Sequence, residues 1–177
     1  MPTLVILRHA AKQYDNKSKG PQKYDSPITD DEWGRAKVVF SKYIADHSLT
    51  PTKIICSPYL RTRQTSQILS EMYPEQQLDI NRDLSNFLNL SKEYDEKNFD
   101  PETFNFTPYP PETLLSFHKR VNKAFRSIIE NSDENDVIWV ITHRFVITSF
   151  LKSENISSKN FKPLEGVIFK DGNTSTL

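Results

Sequence analysis

Five basic side chains follow three apolar segments of the chain, at or soon after the points where those segments end. They are Arg8, His9, Arg61, His143 and Arg144. An arginine guanidinium binds an oxyanion through two parallel hydrogen bonds, and a neutral imidazole can act as a nucleophile. Residues of these types in one place would bind a multiply charged anion and act on it. The chemistry therefore depends on whether the fold brings the three segment ends together.

The apolar segments themselves are short and rich in β-branched residues, which is typical of buried parallel strands. The three clearest are Thr3–Leu7, Lys53–Cys56 and Val137–Thr142, and the weaker ones are Leu78–Ile80 and Gly166–Phe169.

Apolar residues at helical spacing lie between these strands and predict four helices. One begins after Thr29, which forms a capping-box pattern with Glu32, and it runs to about His47. The others follow Ser57-Pro58 as far as Pro74, span Pro111–Glu130, and follow His143 to about Lys152. Strands that alternate with helices predict an α/β fold, a three-layer sandwich with a mainly parallel central sheet flanked by helices.

Length and composition favour one domain, 1–177, with a loop-rich excursion at about 86–111. Basic and acidic residues number 23 each, so the chain lacks the excess charge of nucleic-acid and membrane-surface binders. No apolar run approaches the roughly 20 residues of a membrane span, and no charged leader precedes the first strand. The single cysteine excludes an internal disulfide. We expect a cytoplasmic protein with no nucleic-acid or membrane partner, whose oligomeric state the sequence leaves open.

The predicted sheet places the basic residues at one edge. Right-handed crossovers bring the carboxyl ends of parallel strands together, and ligands bind outside those ends. Phosphate fits a cluster of guanidinium groups, and the helix that follows Ser57 adds backbone donors at its amino terminus. A metal ion is disfavoured because the arginines repel a cation and no carboxylate or thiolate lies beside the histidines. We therefore expect a phosphate site without a metal or other cofactor.

Cys56 is a competing candidate for the nucleophile, because a Cys-x₅-Arg loop between strand and helix defines another kind of phosphate site. The spacing does not fit: Arg61 follows Cys56 after four residues, and Thr62 stands at the required position. We therefore expect Cys56 to be a small buried apolar residue.

Three segments of the chain resemble the signatures of the histidine phosphatase superfamily, the phosphoglycerate mutase-like proteins. They are Leu7–Ala10, Ser57–Thr65 and Ile141–His143, and residues 26–36 and 111–113 resemble two further motifs of that family. The five motifs occur in order between about Thr3 and Ile147. Five motifs in fitting strand and helix contexts are much more specific than any one of them.

The resemblance implies a metal-independent phosphomonoester hydrolase that acts on a phosphorylated small molecule or a phosphoprotein. His9 would accept the phosphoryl group as a phosphohistidine, while Arg8, Arg61 and His143 grip its oxygens. Water would then hydrolyse the intermediate. Ser57, at the start of the second signature, is a candidate for a further contact with the substrate.

The acid that protonates the leaving oxygen is not evident from the sequence. The family commonly has a glutamate in a Leu-x-Glu segment, whereas this chain has asparagine at the end of Leu84–Asn86. Glu112 matches a later glutamate of the family and is our acid candidate, and Asp15, Asp30 and Asp83 are alternatives. A general acid contributes about 10²–10⁴-fold, so its loss would slow the release of poor leaving groups.

Other positions depart from the family pattern. Ala10 stands where glycine is usual and adds a methyl group near the phosphate. Asp15 stands where many relatives have asparagine, and a carboxylate there would repel phosphate unless it is paired or displaced. Arg144 stands where glycine is common and would either contact the substrate or block part of the pocket. These departures keep open an alternative, a weak or inactive pseudophosphatase that recognises a phosphorylated partner.

Overall fold

A computed structural model describes residues 1–13, 25–87 and 112–177. Within these ranges the chain forms six strands and four α-helices. The strands are β1 (Thr3–Arg8), β2 (Lys53–Cys56), β3 (Leu78–Ile80), β4 (Val137–Thr142), β5 (Gly166–Lys170) and β6 (Asn173–Thr176). The helices are α1 (Asp30–His47), α2 (Leu60–Met72), α3 (Leu114–Glu130) and α4 (Arg144–Ser153).

The strands form one mixed sheet in the order β3-β2-β4-β1-β5-β6. The first four strands in this order are parallel, whereas β5 and β6 run antiparallel to their neighbours. The prediction of an α/β fold with a mainly parallel sheet is confirmed. Strand β6, which consists of four polar or small residues, was not predicted from the sequence.

Two apolar clusters cover the two faces of the sheet and make the structure three-layered. Alternate residues of β1 face opposite sides: Leu4 and Ile6 pack with α3 and α4, whereas Val5 and Leu7 pack with α1 and α2. Strand β4 divides in the same way. Because both faces are covered, β1 and β4 are continuous apolar runs in the sequence.

Helix α1 begins after Thr29 as predicted, but its cap and the start of α3 differ from the prediction. Thr29 precedes α1, but its side chain makes no capping hydrogen bond, so the predicted capping box is wrong. Glu32 instead accepts a hydrogen bond from the backbone N–H of Ala11, at 2.7 Å. Helix α3 begins at Leu114, with Thr113 as its capping residue, three residues after the predicted start at Pro111.

Residue Gly166 begins β5 so close to β1 that a β-carbon there would lie 2.0 Å from the carbonyl oxygen of Ile6. Most of the predicted excursion at 86–111 lies outside the described residues, and only its first two residues are described. No helix in the described ranges is both long and apolar enough to cross a membrane.

Candidate active site

The carboxyl ends of β1, β2 and β4 meet at one edge of the sheet. Arg8 pairs with Thr142 in the register of β1 and β4. The next residue, His9, donates its backbone N–H to the carbonyl of Thr142 at 3.0 Å, and Ser57 donates to the carbonyl of Ile141 at 3.1 Å. The backbone thus fixes His9 and Ser57, the first residues after β1 and β2, relative to the end of β4.

Arg61 connects the two histidines of this edge. It lies in the first turn of α2, and its Nε donates to Nε2 of His9 at 3.1 Å. Its Nη2 lies 3.3 Å from Nδ1 of His143. A guanidinium has no acceptor, so both ring nitrogens accept these hydrogen bonds and carry no proton. One planar donor group therefore selects the tautomer of both histidines.

The second nitrogen of each ring has a partner that fits this assignment. Nδ1 of His9 lies 2.7 Å from the carbonyl oxygen of Ala10, to which it donates. Nε2 of His143 lies 2.8 Å from Oγ of Ser57 and donates to that hydroxyl. His9 thus has its proton on Nδ1 and a lone pair on Nε2, which is the form of a nucleophilic imidazole.

Both histidines are held neutral by their surroundings. His9 is 6% exposed and His143 is 2% exposed. Burial, followed by the positive charge of Arg61, holds the pKa of each imidazole well below its ordinary value of 6.5. The site therefore keeps Nε2 of His9 unprotonated at neutral pH.

Arg8 contributes positive charge to the same edge. Its Nη1 donates to the carbonyl oxygen of Phe161 at 2.7 Å, which anchors the guanidinium. Its charge lowers the pKa of both His9 and His143, a smaller effect than that of Arg61. Arg8 thus lies close enough to His9 and His143 to act on both electrostatically, as Arg61 does.

The sequence led us to assign the Ser57 hydroxyl and the amino terminus of α2 to the substrate. In the structure both have partners within the chain. The hydroxyl of Ser57 bonds to His143, so Ser57 supports that histidine in this structure. The backbone N–H of Leu60 at the start of α2 donates to Oδ1 of Asp25 at 2.5 Å. Burial raises the pKa of the Asp25 carboxyl, although this hydrogen bond and Arg61 oppose the shift. The first donor of the α2 amino terminus is therefore taken by a carboxylate of this chain.

Tyr59 lies against both His143 and Arg61. Its ring meets the His143 ring edge to face, with centroids 4.8 Å apart, and the Arg61 guanidinium lies 4.5 Å from the Tyr59 centroid. Burial raises the pKa of Tyr59 to about 12, so the phenol stays protonated. Its hydroxyl is buried and makes no hydrogen bond.

The acid candidate Glu112 lies in a buried ion pair. Both of its carboxylate oxygens accept hydrogen bonds from Arg120, through Nε and Nη2. Arg120 also donates to the carbonyl oxygens of Asp83 and Ser85, so this pair ties α3 to the segment around the Leu84–Asn86 motif. Among the described residues, the structure shows no hydrogen bond between Glu112 and either His9 or His143.

The remaining candidates from the sequence are Arg144, Asp30, Asp83 and Asp15. Arg144 donates to Oδ1 of Asn160 at 2.8 Å on the exposed side of α4 and makes no hydrogen bond to His9. Asp30 is exposed in the first turn of α1, and the backbone N–H of Asp83 donates to the side chain of Asn81. Asp15 lies outside the described residues.

Ala10 and Cys56 are both fully buried, as 0% of each side chain is exposed. The methyl group of Ala10 packs in the core, and its backbone N–H donates to Oγ1 of Thr65 at 3.1 Å. Burial raises the pKa of the Cys56 thiol to about 11, which leaves it protonated and unreactive at neutral pH. The expectation that Cys56 is a buried apolar residue is confirmed.

Two residues of the Ser57–Thr65 motif received no role from the sequence, although the motif itself pointed to them. Thr65 accepts from Ala10 and donates to the carbonyl of Arg61, at 2.7 Å. Gln64 accepts from the backbone N–H of Ile28 at 2.9 Å. They join α2 to Ala10, the residue after His9, and to Ile28, and these contacts help to fix Arg61 relative to His9. In the described ranges no group of three or more histidine, cysteine or acidic residues is arranged to hold a metal ion.

The sequence and the fold agree on the class of protein. The model of the histidine phosphatase superfamily, branch 1, matches residues 4–166, and the chain belongs to that family. No curated protein sequence matches the chain.

Solved structures share its fold at low sequence identity. YhfR from Bacillus stearothermophilus is 17% identical, with a TM-score of 0.69 over 99% of this chain and 95% of its own. A mycobacterial glucosyl-3-phosphoglycerate phosphatase in complex with VO3 is 14% identical, with a TM-score of 0.69 over 99% and 97%. A phosphoglycerate mutase from Plasmodium falciparum is 17% identical, with a TM-score of 0.58 over 99% and 88%.

Proposed function

We propose that this protein is a phosphomonoester hydrolase that forms a covalent phosphohistidine on His9. The observation that carries the proposal is the donation from Arg61 to Nε2 of His9 and to Nδ1 of His143. These hydrogen bonds place the neutral imidazole of His9, the proposed nucleophile, beside a guanidinium that can donate hydrogen bonds to phosphoryl oxygens. The family supports phosphatase or mutase chemistry, and one structural neighbour is a phosphatase by name.

The proposed reaction has two steps at the phosphorus atom. Nε2 of His9 attacks, the P–O bond to the leaving group breaks, and Arg8 and Arg61 neutralise the charge on the remaining phosphoryl oxygens. Water then attacks the phosphohistidine, the N–P bond breaks and inorganic phosphate leaves. Positive charge from two guanidinium groups performs the stabilisation, so the proposed reaction needs no metal ion.

The substrate is proposed only as a class. A cluster of guanidinium and imidazole groups recognises the phosphoryl group of a phosphorylated small molecule or of a phosphoprotein. Arg144 lies outside the hydrogen-bonded cluster, so we propose it as a contact to the rest of the substrate at the rim of the site. Ser57 is proposed to act through His143, to which it is bonded.

Hydrolysis of p-nitrophenyl phosphate in the presence of EDTA tests the proposal. Its good leaving group needs little help from an acid, so turnover depends on the nucleophile and the phosphate-binding groups. We expect activity in the wild type and none above background in His9→Ala. His47→Ala is the matched control, because His47 is an exposed histidine at the end of α1. Equal turnover in the wild type and His9→Ala would refute the proposal.

A second candidate is a phosphate-binding pseudophosphatase. It is favoured by Asn86 in place of the glutamate of the family motif and by Glu112, whose two oxygens are engaged by Arg120. A folded protein that binds inorganic phosphate in calorimetry but hydrolyses no substrate in the assay above would establish this candidate.

A further inference from the structure

The proton donor for the leaving group is the missing part of the proposed function, on which this inference rests. Among the described residues, the carboxylates of Glu112 and Asp25 make hydrogen bonds within the chain. Glu112 receives two from Arg120, and Oδ1 of Asp25 receives one from the start of α2. Using Glu112 as an acid would break a buried ion pair, which is costly. A group that faces His9 and is not part of a buried ion pair is a better proton donor.

His143 faces the nucleophile through its Nδ1 atom. Nδ1 of His143 and Nε2 of His9 both accept from the same guanidinium, at 3.3 and 3.1 Å. The ring centroids of the two histidines are 5.3 Å apart. A phosphoryl group that takes over these hydrogen bonds from Arg61 therefore lies against both nitrogen atoms.

The protonation state of His143 depends on what occupies that place. In the structure, Nδ1 accepts from Arg61, and burial together with Arg61, His9, Arg8 and Arg120 disfavours a positive charge on the ring. When phosphoryl oxygens receive the donors of Arg61, Nδ1 faces an anion instead, and a nearby negative charge favours the imidazolium form. Substrate binding and proton uptake at Nδ1 are thus linked.

Ser57 keeps the ring in the orientation that this requires. Its hydroxyl accepts from Nε2–H of neutral His143 in the structure, and it can accept the same hydrogen bond from an imidazolium. Tyr59 closes one side of the ring through its edge-to-face contact. Nδ1 is therefore the nitrogen that changes protonation state, and Nε2 stays bonded to Ser57.

We propose that His143 is the general acid of this enzyme and that Ser57 is its positioning residue. Substrate binding brings one proton from solvent to Nδ1 of His143. As Nε2 of His9 attacks phosphorus, the P–O bond breaks and the leaving oxygen takes the proton from Nδ1. Neutral His143 then accepts a proton from the attacking water as the N–P bond breaks, which restores the imidazolium and releases phosphate.

Dependence on the leaving group distinguishes an acid from a simple phosphate ligand. We compare the wild type with His143→Asn on p-nitrophenyl phosphate, phenyl phosphate and glycerol phosphate. The acid role predicts that kcat/KM on p-nitrophenyl phosphate falls least, and that the loss grows by a further ~10²-fold toward the alkyl ester. A loss of the same factor on all three substrates would overturn the proposal. Absence of His9-dependent turnover in the wild type would instead refute the proposed function.

Ser57→Ala tests the positioning role with the same substrates. It should reproduce the direction of the His143→Asn effect, with a smaller factor, and should shift the pH dependence of kcat because the ring loses its acceptor. Equal losses on all substrates with an unchanged pH profile would overturn the positioning role.

A measurement on the wild type covers the case in which the variants do not fold. Nitrogen-15 NMR of the histidine side chains, recorded with and without inorganic phosphate, reports which ring nitrogens are protonated. We expect Nδ1 of His143 to gain a proton when phosphate binds near neutral pH. A His143 signal that stays that of the neutral ring in the phosphate complex would overturn the proposal.

Discussion

The two neutral histidines in the site make the stability of the fold depend on pH. In the folded protein the pKa values of His9 and His143 lie well below 6.5, whereas in the unfolded chain they return to about 6.5. The unfolded chain therefore binds more protons than the folded protein at mildly acidic pH. Their contribution to stability is complete above the unfolded pKa and is lost as the pH falls below it.

The size of the effect follows from this proton linkage. For a histidine that stays neutral in the folded state throughout, lowering the pH from about 7.5 to about 5.5 costs about 1.4 kcal/mol of unfolding free energy. Two such residues cost about 2.7 kcal/mol together. This is a large part of the stability of a typical domain.

Urea unfolding at the two pH values measures the loss, in a buffer free of phosphate and sulfate. The wild type is compared with His9→Gln/His143→Gln, which retains every other titratable group. We expect the wild type to lose more than the double variant on acidification, by up to about 2.7 kcal/mol. Equal pH dependence in the two proteins would show that these histidines are not held neutral. If the double variant does not fold, NMR titration of the two histidines in the wild type decides the same question.

Three further substitutions test the packing that supports the site. Gly166→Ala places a β-carbon 2.0 Å from the carbonyl oxygen of Ile6, so β1 and β5 must separate, and we expect loss of the cooperative thermal transition seen by circular dichroism. Arg120→Met leaves Glu112 buried without its partner and should lower the unfolding free energy in urea by about 3–5 kcal/mol, whereas a loss below about 1 kcal/mol would contradict the ion pair. Tyr59→Phe removes a buried hydroxyl that makes no hydrogen bond, so the melting temperature should stay the same or rise, and a clear fall would reveal a partner for that hydroxyl.

The parallel part of the sheet could be predicted because its central strands are buried on both faces. Strands β1 and β4 are almost wholly apolar, and their ends coincide with the basic residues of the site. Strand β6 was missed because it is a polar edge strand. Its signal was the Asp171-Gly172 pair, whose positive φ values of 51° and 77° are typical of a tight hairpin turn.

The grouping of His9, Arg61 and His143 could be expected from strand ends alone, but their hydrogen bonds could not. The bond from Arg61 to His9 and the bond from Leu60 to Asp25 join residues 52 and 35 positions apart. Such contacts depend on the packing of α2 against the sheet, which no local pattern specifies. The partner of Glu112 was also hidden, because Arg120 lies within α3 whereas Glu112 precedes that helix.

The central claim is that His9 carries the phosphoryl group during turnover, and trapping that group tests it most directly. The wild type is mixed with p-nitrophenyl phosphate, quenched within the first turnovers, digested and analysed by mass spectrometry under alkaline conditions. The account predicts one phosphoryl group on the peptide that contains His9, stable in base, lost in acid and absent from His9→Ala. Turnover with no phosphoryl group on His9, or with the group on another residue, would contradict the account.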